Sequence, residues 1–104
     1  MSLARVALVC PDLMFGSRVE EALRAAGHEV TRERDGADAL VVDLTAEGLD
    51  LAELAAEDKP TVGFYPHVDV EIRRRALEAG FDVVVPRSRM ARETAQVVEK
   101  AIAA

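Results

Sequence analysis

Ala39-Leu40-Val41-Val42-Asp43 is a short, unbroken apolar run that ends in a carboxylate. Val6-Ala7-Leu8-Val9 is a second run of the same kind near the start of the chain. Strands that are covered on both faces of a parallel sheet have this continuous apolar pattern, whereas half-exposed strands alternate apolar and polar residues. The two runs therefore predict buried strands of an α/β domain.

Helices and further strands alternate with these runs. Strands are predicted over 29–33, 61–65 and 82–85. Helices are predicted from Asp12 or Ser17 to Ala26, over 50–56, from Asp69 to Gly80, and from Ser88 onward as one last helix. The apolar positions expected to anchor the helix after Asp69 are Val68, Ile72, Ala76 and Leu77. This alternation predicts a flavodoxin-like, doubly wound, five-stranded parallel sheet of order 2-1-3-4-5, with the polar strand 29–33 at an edge.

The segment 34–38 is too short for the usual connection between two parallel strands. A helical crossover needs roughly ten or more residues. Either an extended strap re-crosses the sheet, or Asp35-Gly36 forms a tight hairpin. We favour the strap, because the rest of the chain fits the parallel arrangement, and we expect the second helix to be missing or vestigial.

Composition limits the class of protein. With 104 residues the chain has room for one domain, 1–104, and with 50% hydrophobic but 4% aromatic residues its core must be aliphatic. A net charge of −6 argues against a general nucleic-acid binder. No apolar run is long enough to span a membrane, and no signal-peptide pattern begins the chain. The lone Cys10 excludes an intramolecular disulfide and fits a cytoplasmic protein.

Ligands of such sheets bind at the carboxyl ends of the strands. The polar and reactive residues expected at that edge are Cys10, Asp12, Asp43, Tyr65, His67, Arg87 and Ser88. They make a plausible site on position alone.

Three stretches carry a family resemblance. They are Arg5 to Val9 with the helix ending before Val30, Ala37 to Leu44, and Arg74 to Val85. In this order and spacing they resemble the receiver domain of two-component response regulators. The resemblance implies that Asp43 is the phosphoacceptor, that acidic residues after the first strand hold Mg²⁺, and that a hydroxyl and a lysine complete the site.

The chain departs from the receiver pattern at most of these positions. Cys10 and Pro11 stand where the acidic pair belongs, with Asp12 one step later, and Tyr65 replaces the small hydroxyl residue. Arg87 falls on the position of the lysine. We therefore expect a pseudo-receiver without enzymatic activity, with no cofactor beyond a weak Mg²⁺ at Asp12 and Asp43.

Several of these residues have a second interpretation. Asp43 could be a working phosphoacceptor, or it could stiffen the loop after its strand. Arg87 could pair with Asp43 or point into water, and Asp12 could be a helix N-cap. Tyr65 could pack on the helix after Asp69, and His67 could be an ordinary loop residue.

Cys10 supports a competing hypothesis. Cys10 follows the first predicted strand. A nucleophilic cysteine stands at the same place in B-type sugar subunits of the phosphotransferase system and in low-molecular-weight tyrosine phosphatases, which this feature resembles. The following loop fits this chemistry poorly, because Pro11 removes a backbone donor and Asp12 repels phosphate. A small phosphotransfer or phosphatase enzyme using Cys10 remains the alternative.

The resemblance also implies an interaction surface. Receivers use their fourth helix, fifth strand and fifth helix for dimers and output partners. In this chain these elements correspond to the predicted helix from Asp69, the strand 82–85 and the last helix from Ser88. Arginines concentrate in that region of this chain, at positions 73–75, 87, 89 and 92. We expect an acidic protein partner or a homodimer there, and neither a nucleic acid nor a membrane.

Overall fold

The computed structural model of the chain describes residues 3–66 and 68–103. Five strands form one sheet: Arg5–Val9 (β1), Glu29–Thr31 (β2), Ala39–Asp43 (β3), Thr61–Tyr65 (β4) and Val83–Pro86 (β5). The helices are Leu13–Ala25 (α1), Leu51–Ala56 (α2), Val70–Ala79 (α3), Arg87–Arg92 (α4) and Thr94–Ala103 (α5). No helix in the described ranges is both long and apolar enough to cross a membrane.

The sheet is parallel throughout, with the order β2-β1-β3-β4-β5. This confirms the predicted fold class. β1 pairs in parallel with both β2 and β3, so residues 32–38 re-cross the sheet as a strap and not as a hairpin. Asp38 ends the strap by accepting a hydrogen bond from the Arg5 amide at 2.7 Å. The second helix of the flavodoxin-like plan is absent from this connection, as expected.

Aliphatic side chains form a cluster on each face of the sheet. On one face α1, α4 and α5 cover strand residues such as Val6, Leu8 and Val41. On the other face α2 and α3 cover Leu40 and Val42. This division follows from the alternation of side chains along each strand. The two buried runs of the sequence are central strands for this reason.

Carboxylates cap the helices that lead away from the carboxyl edge of the sheet. Asp12, Asp50 and Asp69 each accept a hydrogen bond from the backbone N–H three residues later. Such caps satisfy a backbone donor that a helix start leaves free. Gly80 ends α3 with a φ of 109°, a left-handed conformation that favours glycine.

The C-terminal prediction was wrong in detail. The last helix is interrupted at Glu93, and Ser88 lies inside α4 instead of capping it. The Thr94 hydroxyl donates to the Met90 carbonyl at 2.6 Å, a local side-chain bond that competes with regular helix geometry. Helix α4 begins directly at the end of β5, with Pro86 at its N-cap position.

The end of β2 and the exposure of two apolar side chains near α3 also differ from the prediction. β2 ends at Thr31, because the chain turns into the strap before Glu33. On α3 the side chain of Leu77 is 41% exposed and Val68, before the helix, is 77% exposed. The helix contacts the sheet along a narrow stripe through the small Ala76, so the next position around the helix points outward.

Candidate functional site

An open depression of about 480 Å³ lies at the carboxyl edge of the sheet. Its lining includes Asp12, Asp43 and Arg87, three of the residues predicted for the site. Asp12 lies in the loop after β1, Asp43 ends β3, and Arg87 follows β5 directly. Because the strands are parallel, these positions lie at the same edge of the sheet. The structure therefore brings the acidic and basic groups of the receiver-like edge together.

Asp12 is held by two neighbours. Its Oδ1 accepts from the backbone N–H of Phe15 at 3.1 Å, which caps α1, and its Oδ2 binds the Arg87 guanidinium. The Phe15 N–H and then Arg87 lower the pKa of the Asp12 carboxyl. The N-cap interpretation of Asp12 is confirmed, and the same side chain also forms an ion pair.

Arg87 does not contact Asp43. Its guanidinium binds Asp12 and lies 4.4 Å from the ring centroid of Phe15, a cation–π distance. Phe15 in turn packs against Phe64, with ring centroids 5.0 Å apart. The predicted pair with Asp43 is not formed, and the side chain, although 36% exposed, binds Asp12 instead of simply pointing into water. The reason is that Phe15 offers an aromatic surface next to the carboxylate of Asp12.

Asp43 is turned toward its own loop. Its Oδ1 accepts from the Thr45 backbone N–H at 3.0 Å and from the Thr45 hydroxyl at 2.6 Å. The residue is only 5% exposed. Such an arrangement, in which an aspartate bonds the backbone two residues on, is typical of an Asx turn. These bonds are the ones expected if Asp43 caps the loop after β3, while its role as a phosphoacceptor stays a prediction.

Cys10 lies beneath these groups. Its Sγ is 3.9 Å from Asp43 Oδ2 and 3.5 Å from the Asp12 carbonyl oxygen, and the residue is 4% exposed. Burial, followed by the negative charge of Asp43, raises the pKa of the thiol. A thiol is a weak nucleophile compared with a thiolate, so this environment does not favour the Cys10 enzyme hypothesis.

Tyr65 and Ser88 were predicted for this edge but do not line the depression. Tyr65 is 5% exposed and belongs to the apolar cluster that includes Ile72 and Ala76 of α3, as expected for packing on that helix. His67 lies outside the described residues. Ser88 is an exposed residue of α4.

The oxygen atoms at the edge do not fit a magnesium site. Mg²⁺ prefers several oxygen ligands in near-octahedral geometry. Within 3–66 and 68–103, no three histidine, cysteine or acidic residues come together in a way that could hold a metal. Asp12 is bonded to Arg87, and Asp43 Oδ1 is bonded to Thr45. Neither carboxylate is therefore arranged as a free ligand for Mg²⁺.

Sequence reasoning missed three residues of the site. Thr45 orients Asp43, Phe15 supports Arg87, and Glu47 adds a carboxylate to the lining. The spacing Asp43-Leu44-Thr45 is a signal of an Asx turn that could have identified Thr45. Nothing in the linear pattern points to the contact between Phe15 and Arg87, which are far apart along the chain.

The likeness to known proteins lies in the structure. No protein-family model and no curated protein matches the sequence. NtrX from Brucella abortus superposes on 99% of this chain, with a TM-score of 0.84 and 20% identity, and full-length FixJ from B. japonicum on 99%, with 0.83 and 19%. A response regulator receiver domain protein from Clostridium thermocellum superposes on 97% of this chain and 95% of its own, with 0.81 and 15%.

The extent of the match defines what it establishes. The chain spans 27% of the NtrX chain and 59% of the FixJ chain. At these identities the likeness establishes the fold, including the strand order 2-1-3-4-5. The protein therefore has the fold of response-regulator receiver domains.

Proposed function

We propose that this protein is a pseudo-receiver, a cytoplasmic regulatory domain that acts through protein contacts and not through phosphorylation of Asp43. The observation that carries the proposal is the ion pair between Arg87 and Asp12. In receivers the corresponding edge holds a cation with acids and keeps a basic side chain available for the phosphoryl group. Here the basic group and the acid neutralise each other.

The state of Asp43 supports the same proposal. A phosphoacceptor carboxylate must present an oxygen to the incoming phosphorus. In this protein Oδ1 already accepts two bonds from Thr45, and Oδ2 lies toward the buried Cys10 thiol. Negative charge on a transferred phosphoryl group would also meet the Glu47 carboxylate, while Arg87 is already paired with Asp12.

The proposed output surface is formed by α3, β5 and the C-terminal helical segment, which the structure divides into α4 and α5. Val70, the first residue of α3, is 72% exposed there. The arginines of this surface are partly neutralised by neighbours: Arg74 binds Glu71 and Glu78, and Arg89 lies 3.7 Å from Glu93. Both apolar and charged contacts are therefore available to a protein partner or to a second copy of the chain.

The test of the site is an amide NMR titration with Mg²⁺ and then beryllofluoride, an acyl-phosphate mimic. We expect no shifts at millimolar concentration in the wild-type protein. The matched variant Asp43→Asn separates specific from general effects. Saturable shifts around Asp43 and Arg87 that reach α3 and are absent from Asp43→Asn would show a working phosphoacceptor and overturn the proposal.

The output surface is tested separately by association. Val70→Asp places a charge at the first position of α3, and Leu13→Asp places the same charge at the first position of α1, where Leu13 is 74% exposed. Val70→Asp should weaken self-association measured by sedimentation, or binding of a partner measured by capture. Leu13→Asp should leave both unchanged. Equal effects of the two variants would remove the reason for choosing this surface.

A further inference from the structure

Within residues 3–66 and 68–103, no helix connects β2 to β3, and on the face of the sheet that carries α2 and α3 the strap residue Ala37 packs in the same cluster as Ala7 of β1. Arg5, Ala7 and Val9 of β1 share this face, and Arg5 pairs across the strands with Glu29 at 3.4 Å. That exposed ion pair replaces apolar cover at the amino end of the strands. At the carboxyl end the face is still apolar, because Val9 and Leu49 are partly buried apolar residues packed against the cluster on this face.

Two adjoining depressions, of about 250 and 630 Å³, lie beside this face, where Ala7 is fully buried and Val9 is partly exposed. They share Arg34 of the strap and Glu53 of α2. Val9, Leu49 and Leu54 contribute apolar lining to the first. We name the two depressions together the strap groove. It lies where a crossover helix of roughly ten residues would otherwise pack.

Carboxylates outnumber cations along the strap groove. Its acidic lining residues are Glu33, Asp35, Asp50, Glu53 and Glu57. Arg34 is the one basic residue that lines either depression within the described part of the chain. A negative rim beside an apolar floor is complementary to a segment with basic and apolar sides.

Arg34 shows how this groove holds a basic side chain. Its guanidinium is 2.9 Å from Glu57 Oε2 and 3.5 Å from Glu53 Oε1, two carboxylates one helical turn apart. The Lys59 ammonium donates to the Arg34 carbonyl oxygen and lies 3.5 Å from Glu57 Oε1, which fixes the strap beside α2. Arg34 is still 39% exposed in its side chain, so the contact is accessible from solvent.

We propose that the strap groove binds a basic amphipathic helix of a partner protein. The apolar side of that helix would cover Val9 and Leu49, and its lysines or arginines would bind Glu53 and Glu57. Arg34 is an internal competitor for these carboxylates. The strap groove is separate from the proposed output surface. Binding to the groove does not depend on whether Asp43 is phosphorylated.

The probe is a fluorescent amphipathic peptide of about 15 residues, long enough to form a helix, with leucines on one face and lysines and arginines on the other. We expect saturable binding with amide shifts at Val9, Leu49 and Glu53, and weak binding of the same peptide with glutamates in place of the basic residues. Glu53→Gln with Glu57→Gln should lower affinity about tenfold or more. Glu20→Gln with Glu21→Gln, which removes the same charge from α1, should leave it unchanged.

A second variant keeps the test decisive if the double substitution disturbs folding. Arg34→Ala frees Glu53 and leaves Glu57 with Lys59 alone, so it should strengthen peptide binding several-fold, with the amide spectrum checking that the fold is kept. Unchanged or weaker binding by Arg34→Ala, or shifts centred elsewhere, would overturn the proposal. Shifts at the same groove on raising protein concentration without peptide would assign it to a second copy of the chain and would overturn it as well.

Discussion

The guanidinium of Arg87 lies 4.4 Å from the centroid of the Phe15 ring. This contact joins the start of α4 to the first turn of α1 across the carboxyl edge of the sheet. The same guanidinium binds Asp12. Phe15, which packs on Phe64, thus lies against the basic residue that neutralises Asp12.

The first prediction concerns this contact. Phe15→Leu should destabilise the protein by about 1–2 kcal/mol, because it removes an aromatic pair and the support of Arg87 while keeping an apolar side chain. Urea unfolding measures the loss. In a double-mutant cycle with Arg87→Ala the coupling should be about 0.5–1 kcal/mol. Strictly additive effects of the two substitutions would show that the contact contributes nothing.

The second prediction is a pH dependence that arises from Asp12. Since the Phe15 N–H and Arg87 hold its pKa below the ordinary value of 3.8, the folded state binds the proton less tightly than the unfolded state. The stabilisation is therefore complete above pH 3.8 and is lost as the pH falls through the lower, folded value. The difference in unfolding free energy between wild type and Asp12→Asn should shrink over that acidic range.

A second substitution separates the cap from the charge. Asp12→Asn keeps a side-chain oxygen that can cap α1, whereas Asp12→Ala removes both the cap and the carboxylate. Asp12→Ala should therefore be less stable than Asp12→Asn at neutral pH, and neither variant should show the acidic dependence. A wild-type advantage over both variants that stays constant from neutral to acidic pH would contradict the role of the Asp12 charge.

The architecture was predictable because it depends on patterns that are local in the chain. Buried runs such as 6–9 and 39–42 identify central parallel strands, and the short segment 34–38 leaves no room for a helix. The position of Asp43 at a strand end follows from the same pattern. These features need only the period of the side chains and the length of each connection.

The pairing of side chains at the site was not predictable in the same way. Strand order places Asp12, Asp43 and Arg87 at one edge but does not say which two meet. That choice depends on Phe15 beneath the guanidinium and on Thr45 beside Asp43, both of which are tertiary details. The break at Glu93 is similar, because it involves the Thr94 hydroxyl competing with a helical backbone bond.

The third prediction concerns the reactivity of Cys10. Burial and the charge of Asp43 raise the pKa of its thiol, so it stays protonated at neutral pH. Alkylation by iodoacetamide should be much slower in the folded protein than in urea, and it should accelerate only at alkaline pH. Asp43→Asn removes one of the two main causes and should increase the rate. Rapid alkylation of the folded wild type at neutral pH would revive the nucleophile hypothesis.

The fourth prediction concerns Gly63 at the centre of β4. A Cβ added there would lie 2.8 Å from Leu44 Cδ1, closer than side chains pack, and Leu44 is itself buried. Gly63→Ala should therefore cost about 1–3 kcal/mol by overpacking. Gly63→Ala combined with Leu44→Ala should lose less than the sum of the two single effects. Chemical denaturation of the four proteins measures this, and additive losses would exclude the proposed clash.

The fifth prediction concerns His28, which lies between α1 and β2 with a side chain only 2% exposed. Its Nε2 is 3.0 Å from Glu99 Oε2 of α5, while its Nδ1 is buried without a hydrogen-bond partner among the described residues. Glu99→Ala would leave the second ring nitrogen unpaired as well, at a cost of about 1–3 kcal/mol. Glu99→Gln keeps a polar group in reach and should lose less. If His28→Phe cancels the effect of Glu99→Ala, the loss comes from the stranded imidazole; if the effect persists, Glu99 stabilises α5 in some other way.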